Sequence, residues 1–260
     1  LDYYSLDVTY RAVDVEREDL AKLVGSLRDE EFFGANVTVP YKETVTTLLD
    51  QLEEETRIIG AVNTIENRSG VLVGHNTDVK GFVMALENEK NFNAKGKKAV
   101  ILGAGGSAKA VIAGLIGAGI KTLIVVNRTL SRGQDLVGRF GSLVENIRAV
   151  PLDSNDLKGD FLNTDLIVNC TSLGMNGGPN PSSSLINPEI FPSNALVTDL
   201  VYNPTKTPLL QGAAKIGLEI LNGLPMLVYQ GAASFELWTG KSAPLEEMFK
   251  SAEIGLKSRL

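Results

Sequence analysis

The 260-residue sequence contains a single cysteine, Cys170, and a single histidine, His75. One cysteine cannot form a disulfide framework within the chain, and the shortage of both residues argues against a His/Cys zinc site. Cys170 ends an apolar segment, a position typical of a buried small hydrophobic residue. His75 has no partner cluster that would make it a base, so we expect a structural or surface role.

The sequence also lacks an excess of positive charge and a long apolar segment. Its net charge of −6 argues against a nucleic-acid partner, which would require a basic surface. No apolar segment approaches the roughly 20 residues of a membrane span. The content of 43% hydrophobic and 22% charged residues is typical of a soluble globular protein with one large or two modest domains.

A glycine-rich turn between an apolar segment and a helical pattern is the most informative feature. Gly103, Gly105 and Ala108 occupy the small-residue positions of the dinucleotide-binding fingerprint, which permit a tight turn, a nearby pyrophosphate and close helix–strand packing. A helix over 111–119 and a strand over 121–126 complete one βαβ unit within about 30 residues. A plain strand–turn–helix corner is the alternative.

The residues after that second strand indicate which dinucleotide is bound. They are Asn127, Arg128, Thr129 and, one turn later, Arg132. An NAD site usually has a carboxylate here for the ribose 2′-hydroxyl, and a carboxylate would repel a 2′-phosphate. Two guanidinium groups can instead bind that phosphate, which predicts NADP. Alternatively, both arginines are solvated residues at a helix start.

Strands and helices alternate beyond the predicted linker at 90–98. This order predicts an α/β fold with a parallel sheet whose ligands lie at the carboxyl ends of the strands. The predicted strands lie within 3–15 and at 36–39, 58–65, 71–74, 100–102, 121–126, 146–151, 164–170, 195–201 and 218–221. The predicted helices lie at 14–27, from Tyr41, from Asp78, and at 111–119, 131–140, 209–214, 226–238 and 244–260.

Polar residues interrupt the apolar segments of the first third of the chain. Asn36 and Thr38 alternate with valines and would share one face of a strand, and Asn63 interrupts another strand. Lys42 is predicted in the first turn of a helix, where a cation opposes the helix dipole and therefore suggests a functional role. Asp78 would open a helix. A solvated lysine and a helix-capping aspartate are the alternatives.

Six ordered motifs together resemble the shikimate dehydrogenase family over essentially the whole chain. They are NVTVPYK at 36–42, AVNT at 61–64, GHNTD at 74–78, GAGGSA at 103–108, NRT at 127–129 and GLPMLVYQGA at 223–232. The resemblance implies an α/β substrate domain, formed by residues 1–87 and 225–260. It implies a Rossmann-like NADP-binding domain with a parallel sheet over 88–224, from which C-terminal helices return to the first domain.

The same resemblance implies a function and a set of site residues. The expected enzyme is cytoplasmic, monomeric or homodimeric, and uses NADPH without a metal to reduce 3-dehydroshikimate reversibly to shikimate, on the route to aromatic amino acids. The implied catalytic pair is Lys42 and Asp78. The implied substrate-binding residues are Thr38, Lys42, Asn63, Asp78, Tyr202 and Gln230. The implied cofactor-binding residues are Gly103, Ala104, Gly105, Gly106, Ser107, Asn127, Arg128, Thr129, Arg132, Leu200, Gly223 and Met226.

One departure from the family pattern concerns the substrate carboxylate. The family carries a His-Ser-x-Ser-Pro motif in an earlier strand and loop, and no such motif occurs in this sequence. Either the sequence lacks its start, which the abrupt beginning at Leu1 favours, or half of the carboxylate-binding group has been lost. The residues of that segment are therefore not assigned.

Three other functions compete with this interpretation. An NAD-preferring quinate/shikimate dehydrogenase is disfavoured because Asn127 is not acidic. A non-catalytic sensor of a shikimate-pathway metabolite is disfavoured because both Lys42 and Asp78 are retained. A tetrahydrofolate-type dehydrogenase shares the architecture, but the motifs on the substrate side fit it poorly. For Gln230, a solvent-facing position in the middle of a helix is the alternative.

Overall fold

Two separate β-sheets organise the chain in the computed structural model, which describes residues 2–257. The smaller sheet has the strand order β1-β3-β4-β2 and contains β1 (Gly34–Asn36), β2 (Gln51–Leu52), β3 (Thr64–Arg68) and β4 (Val71–His75). The larger sheet contains β5 (Lys98–Leu102), β6 (Thr122–Asn127), β7 (Asn146–Pro151), β8 (Leu166–Asn169), β9 (Leu196–Asp199) and β10 (Glu219–Leu221). Its order is β10-β9-β8-β5-β6-β7, and every pairing is parallel.

Helices connect and cover the strands. The described α-helices are α1 (Leu20–Ser26), α2 (Glu54–Ile59), α3 (Thr77–Lys90), α4 (Gly106–Gly117), α5 (Leu130–Phe140), α6 (Leu157–Phe161), α7 (Pro208–Lys215), α8 (Leu224–Thr239) and α9 (Leu245–Lys257). Short 3₁₀ turns lie at Asp2–Tyr4, Thr44–Leu48 and Pro188–Ile190. In the part of the chain that the structure describes, every helix is too short or too polar to cross a membrane.

The parallel sheet forms because its central strands are apolar on both faces. Ala99 and Ile101 of β5 pack into one buried cluster, whereas Val100 and Leu102 pack into the cluster on the opposite face. Such continuous apolar strands are stable only when helices cover both sides of the sheet. The predicted α/β fold, with its alternating strands and helices from residue 98 onward, is confirmed. The last predicted helix extends to residue 260, and its residues 258–260 lie outside the described chain.

A close approach between α3 and α8 brings together segments that are more than 100 residues apart in the sequence. A methyl group added at Gly81 of α3 would lie 2.7 Å from the backbone nitrogen of Gln230 in α8. Only a residue without a side chain permits this helix–helix distance. Asp78, one turn before Gly81, therefore lies near Gln230.

Two predictions for the N-terminal segment are wrong. The strand predicted within 3–15 is absent; a 3₁₀ turn at Asp2–Tyr4 is followed by irregular backbone. A strand requires a neighbour to satisfy its backbone groups, and no strand in residues 2–257 pairs with this segment. The helix predicted over 14–27 begins only at Leu20, and its Leu20 and Val24 side chains are buried in the core.

The strand predicted over 58–65 is also wrong in its first half. Residues 54–59 form α2, and the strand β3 begins at Thr64. Glu54 and Glu55 lie in the first turn of α2, where negative charge is favourable to the helix dipole. Gly60 ends the helix in the left-handed conformation, with φ of 67°. These end signals outweigh the apolar pattern.

The short elements β2 and α6 were not predicted.

Candidate active site

A charge pair between Lys42 and Asp78 lies at the centre of the candidate site. Lys42 Nζ is 2.6 Å from Asp78 Oδ2, and the two side chains are only 13% and 5% exposed. Because water is largely excluded, the attraction between the charges is screened far less than in a surface ion pair. The other carboxylate oxygen, Oδ1, accepts a hydrogen bond of 2.9 Å from Asn63 Nδ2. The carboxylate is therefore held from both sides.

Lys42 does not lie in the first turn of a helix, so that prediction is wrong. It occupies a turn before the 3₁₀ segment Thr44–Leu48. Its carbonyl accepts a hydrogen bond of 2.7 Å from the backbone nitrogen of Val62, a bond to a distant segment and not to the next helical turn. Asp78 and Val62 hold Lys42 in place, and the argument from the helix dipole does not apply.

Asn63 joins residues that the sequence singles out separately. Its amide nitrogen lies 2.8 Å from Thr77 Oγ1, 2.9 Å from Asp78 Oδ1 and 3.1 Å from Gln230 Oε1. Its amide oxygen accepts from the backbone nitrogen of Thr77 at 2.7 Å. The structure thus brings Lys42, Asn63, Asp78 and Gln230 into one hydrogen-bonded group, and Gln230 does not simply face solvent.

A layer of hydroxyl groups supports this cluster, and it was not predicted from the sequence. Ser234 Oγ is completely buried and lies 2.9 Å from Thr64 Oγ1 and 3.2 Å from Thr77 Oγ1. It donates to the Gln230 carbonyl and accepts from Asn36 Nδ2, both at 3.1 Å. The available signal was spacing: Thr64 and Thr77 adjoin proposed site residues, and Ser234 follows Gln230 by one helical turn.

Thr38 and Tyr202 are outside this hydrogen-bonded group. β1 ends at Asn36, so Thr38 is not in the predicted strand; it is exposed, and its carbonyl accepts from the backbone nitrogen of Tyr41 in a tight turn. Tyr202 is half-buried in the loop after β9. Their role in binding a substrate stays a prediction.

The glycine-rich turn directly adjoins the Lys42 turn. Gly103 has φ of 103°, a conformation that favours glycine, and a methyl group there would lie 2.9 Å from the Thr171 methyl carbon. A methyl group at Gly106 would lie 3.3 Å from Lys42 Cβ. Gly105 has open space above it and directly precedes α4, whose first backbone N–H groups are of the kind that bind phosphates. Contact of the residues from Gly103 to Ser107, including Ala104, with a dinucleotide stays a prediction.

Asn127 ends β6, and Arg128, Thr129 and Arg132 follow it at the same edge of the sheet. Asn127 Nδ2 donates to the Thr129 carbonyl at 2.8 Å and so closes the turn that starts α5. Arg128 and Arg132 are exposed on either side of that turn. Their position permits contact with a phosphate on the adenosine ribose, and this contact stays a prediction.

The remaining proposed cofactor residues follow strands on the opposite side of β5 from β6. Leu200 follows β9, Gly223 follows β10, and Met226 lies in the first turn of α8. A methyl group at Gly223 would lie 2.1 Å from the Leu200 carbonyl oxygen, so only glycine fits beneath Leu200. Met226 is buried in the core cluster that also contains Tyr229. Contact of these residues with a cofactor stays a prediction.

A buried carboxylate near this edge was also not predicted. Asp199 ends β9 and is completely buried. Burial raises the pKa of its carboxyl from 3.8 to about 6, against hydrogen bonds from Thr207, Val201 and Asn169 that lower it. A carboxylate at the end of a largely apolar strand was the available signal.

The single histidine and the single cysteine each lie near one carboxylate: His75 near Glu66, and Cys170 near Asp199. His75 Nε2 lies 2.9 Å from Glu66 Oε2 on the adjacent strand. Burial raises the pKa of the Cys170 thiol well above its usual range, an effect that the negative charge of Asp199 increases. Within residues 2–257, no group of three His, Cys, Asp or Glu side chains could hold a metal ion.

The Ser234→Ala variant should be less stable by about 1–3 kcal/mol. The substitution removes a completely buried hydroxyl that bonds the Asn36 amide and two threonine hydroxyls, and the loss of several hydrogen bonds inside the protein costs about this much. Urea unfolding measures the difference. Ser26→Ala, which removes an exposed hydroxyl, should change the free energy of unfolding by less than about 0.5 kcal/mol. Equal stability of the two variants would contradict a stabilising role for the hydroxyl layer.

Comparison with known proteins identifies the family. Three family models match: the shikimate dehydrogenase substrate binding domain at residues 1–65, shikimate / quinate 5-dehydrogenase at 85–175, and the shikimate 5'-dehydrogenase C-terminal domain at 223–252. A shikimate dehydrogenase (NADP(+)) from Alkaliphilus oremlandii is 40% identical over 252 residues, covering 96% of this chain and 87% of the relative.

Solved structures agree with the sequence matches. Shikimate 5-dehydrogenase from Thermus thermophilus, in complex with NADP(H) and shikimate, superposes with a TM-score of 0.85 and 38% identity, covering 97% of this chain and 90% of the other. Quinate dehydrogenase from Corynebacterium glutamicum, in complex with NAD, superposes with a TM-score of 0.81 and 32% identity, covering 92% and 83%. This chain belongs to the shikimate dehydrogenase family.

Proposed function

We propose that this chain is an NADP-dependent shikimate dehydrogenase that reversibly reduces 3-dehydroshikimate to shikimate. One observation carries the proposal: the buried Lys42–Asp78 pair lies beside a dinucleotide-type glycine turn, with Gly106 packed against Lys42. A proton donor and a hydride source would then meet at one place. The curated relatives named shikimate dehydrogenase (NADP(+)) support the same reaction.

The residues of the chain supply the proton and the electrostatics of the reaction. When bound, NADPH provides the hydride that adds to the C3 carbonyl carbon of the substrate. The Lys42 ammonium group donates a hydrogen bond to the carbonyl oxygen and transfers a proton as negative charge develops there. Asp78 holds the ammonium group by its charge, and Asn63 holds Asp78. In the reverse direction, neutral Lys42 removes the hydroxyl proton.

The hydrogen-bonded group also offers contacts for the hydroxyl groups of the ring. Asn63, Asp78 and Gln230 already exchange hydrogen bonds with one another, so they present both donors and acceptors at fixed positions. A substrate hydroxyl could replace one of these contacts without leaving a buried group unpaired. We further propose that Thr38 and Tyr202, which lie outside this hydrogen-bonded group, also contact the substrate.

We assign the dinucleotide to the carboxyl edge of the parallel sheet. Residues Gly103 to Ser107 would bind the pyrophosphate, and Leu200, Gly223 and Met226 would line the nicotinamide end. Asn127, Arg128, Thr129 and Arg132 would bind the adenosine ribose with its 2′-phosphate, since no carboxylate occupies the residue position at 127.

We further propose two structural units, residues 1–87 with 225–260 for the substrate and 88–224 for the cofactor. The smaller sheet lies within the first unit and the larger sheet within the second. Closure between them at 88–96 and 222–225 would bring the substrate and nicotinamide together. We propose a cytoplasmic location, because the reaction requires a ready supply of NADPH. We also propose a monomer or a homodimer, as the family resemblance implies.

Replacing Lys42 by alanine should lower the turnover number by roughly 10²–10⁴-fold, the usual contribution of a positioned acid or base. The affinity for NADP should remain unchanged, because Lys42 faces the reacting carbonyl. The loss of NADPH absorbance with 3-dehydroshikimate measures turnover, and fluorescence titration measures NADP binding. Lys80→Ala, which removes a lysine paired at the surface with Glu236, is the matched control and should remain active. Near-normal turnover of Lys42→Ala would exclude this role.

Replacing both Arg128 and Arg132 by alanine should raise the KM for NADPH about tenfold or more, since two charge-assisted hydrogen bonds are lost. The KM for NADH should not change, because NADH lacks the 2′-phosphate. Steady-state kinetics with each cofactor tests this difference. Lys121→Ala removes an exposed cation at the other end of β6 and serves as the control. A parallel change for both cofactors, or a parent enzyme that prefers NADH, would contradict the assignment.

A further inference from the structure

A buried carboxylate without a cationic partner stands at the carboxyl end of β9. The Asp199 side chain is completely buried, and no lysine, arginine or histidine in residues 2–257 pairs with it. A buried carboxylate costs free energy unless its oxygens receive strong hydrogen bonds. An apolar side chain would fill this position at lower cost, so the carboxylate requires another explanation.

Three neutral donors from separate elements converge on Asp199. Asn169 Nδ2, at the end of the neighbouring strand β8, donates to Oδ1 at 2.9 Å. The backbone nitrogen of Val201 donates to the same oxygen at 3.0 Å. The Thr207 hydroxyl, at the start of α7, donates to Oδ2 at 2.6 Å. One side chain therefore links two strands, a loop and a helix.

The first branch of this network reaches the glycine-rich turn. Asn169, oriented by Asp199, accepts with Oδ1 from the backbone nitrogen of Thr171 at 3.1 Å and from its hydroxyl at 2.7 Å. The Thr171 methyl carbon lies beneath Gly103, 2.9 Å from where a side-chain carbon would be. Asp199 thus sets the position of the loop that packs under the dinucleotide turn.

The second branch fixes the backbone around Leu200. The Leu200 nitrogen donates to the Asn169 carbonyl at 3.0 Å, and the Val201 carbonyl accepts from the Gly223 nitrogen at 3.2 Å. Asp199 also accepts from the Val201 nitrogen. The backbone at Leu200 and Val201 is therefore hydrogen-bonded to Asn169 on one side and to Gly223 on the other. Tyr202 follows immediately.

We propose that Asp199 is a positioning residue for hydride transfer: it holds the loop at 170–174 and the loop at 200–207 at the spacing that the bound nicotinamide and substrate require. This inference rests on the proposed function, in which Leu200, Tyr202 and Gly223 lie at the nicotinamide end of the site. Small displacements there reduce the rate strongly, since a shift of 1 Å can cost about a hundredfold.

The pH dependence of Asp199 ionisation distinguishes a positioning role in catalysis from a purely stabilising role. Burial raises the pKa of its carboxyl from 3.8 to about 6, so the folded protein binds this proton more tightly than the unfolded chain. The contribution of Asp199 to stability therefore falls as the pH rises from about 4 to about 6. The ionised carboxylate accepts from all three donors, whereas a proton on Oδ2 would force the Thr207 hydroxyl to stop donating to that oxygen and would so alter the network. Activity and stability should change in opposite directions over this range.

The groups that face Asp199 do not ionise in this range. From β8, Asn169 is neutral, and the Cys170 thiol stays protonated because burial raises its pKa well above its usual range. From the loop and from α7, the facing groups are the Val201 backbone nitrogen and the Thr207 hydroxyl. A change near pH 6 can therefore be traced to Asp199 by substitution.

The test uses the Asp199→Asn variant of the whole chain. We expect its kcat/KM for 3-dehydroshikimate to fall about tenfold to a hundredfold at pH 8, while it remains folded. The difference between the parent and Asp199→Asn in kcat/KM should disappear below pH 6, where the parent loses its carboxylate. Asp160→Asn, at a buried aspartate that pairs with Arg148 near the amino end of β5, should keep the parent's kcat/KM. Equal kcat/KM for folded Asp199→Asn and the parent at pH 8 would overturn the inference.

Thr207 provides a second test that leaves the carboxylate in place. Thr207→Ser keeps the donated hydroxyl and should retain the parent's kcat/KM, whereas Thr207→Val should lose activity as Asp199→Asn does. If Thr207→Val lowers the melting temperature but leaves kcat/KM of the folded protein unchanged, the network is only structural and the proposal fails.

Hydrogen exchange distinguishes failure of this inference from failure of the proposed function. Asp199→Asn should accelerate amide exchange in 170–174 and 200–207 while leaving β6 and β7 unchanged, whichever substrate the enzyme uses. If the parent does not oxidise NADPH with 3-dehydroshikimate, the proposed function is wrong, and the exchange result still decides whether Asp199 holds these loops. Unchanged exchange in both loops would overturn the inference.

Discussion

The rest of the site depends on the two hydrogen bonds that the Asp78 carboxylate accepts. One oxygen binds the Lys42 ammonium group at 2.6 Å, and the other accepts from Asn63 at 2.9 Å. Each partner comes from a different part of the chain, and each is fixed by its own backbone or side-chain contact: Lys42 through Val62, and Asn63 through Thr77. A charge pair with so little exposure holds the lysine in one orientation, which proton transfer requires.

Close packing then places the Lys42–Asp78 pair next to the glycine-rich turn. Three glycines remove the side chains that would separate the elements: Gly81 lets α3 approach α8, Gly106 lets the start of α4 approach Lys42, and Gly223 fits beneath Leu200. The Lys109–Glu43 ion pair, with a distance of 2.7 Å, adds a contact between α4 and the Lys42 turn. Close backbone packing and side-chain ion pairs together therefore hold the Lys42 turn next to the glycine-rich turn.

The parallel sheet was predictable because its strands are apolar on both faces and its first turn carries glycines at defined positions. The N-terminal region was less predictable. Its apolar residues at 58–65 fit a strand, but the helix signals of Glu54 and Gly60 decide the local structure. The position of Lys42 also depends on the bond from Val62, a distant residue that no local pattern identifies.

The residues of the site also divide into those that the sequence predicts and those that it does not. Lys42, Asn63, Asp78 and Gln230 stand out as polar residues in apolar segments, and the structure joins them. The supporting residues did not stand out, because threonine and serine are common in strands and helices of any function. Ser234 bonds Thr64 and Thr77, which are more than 100 residues away in the sequence. Asp199 bonds Asn169, which lies on an adjacent strand and is 30 residues away. Such partners become apparent only in the fold.

A double-mutant cycle on Lys42 and Asp78 tests the central claim that the two residues act as one unit. The turnover number with NADPH and 3-dehydroshikimate would be measured for the parent, Lys42→Ala, Asp78→Asn and the double variant, each shown to be folded. If Asp78 acts by holding Lys42, the double variant should be no slower than the slower single variant. Losses that multiply in the double variant would show that the two residues act independently and would contradict this account.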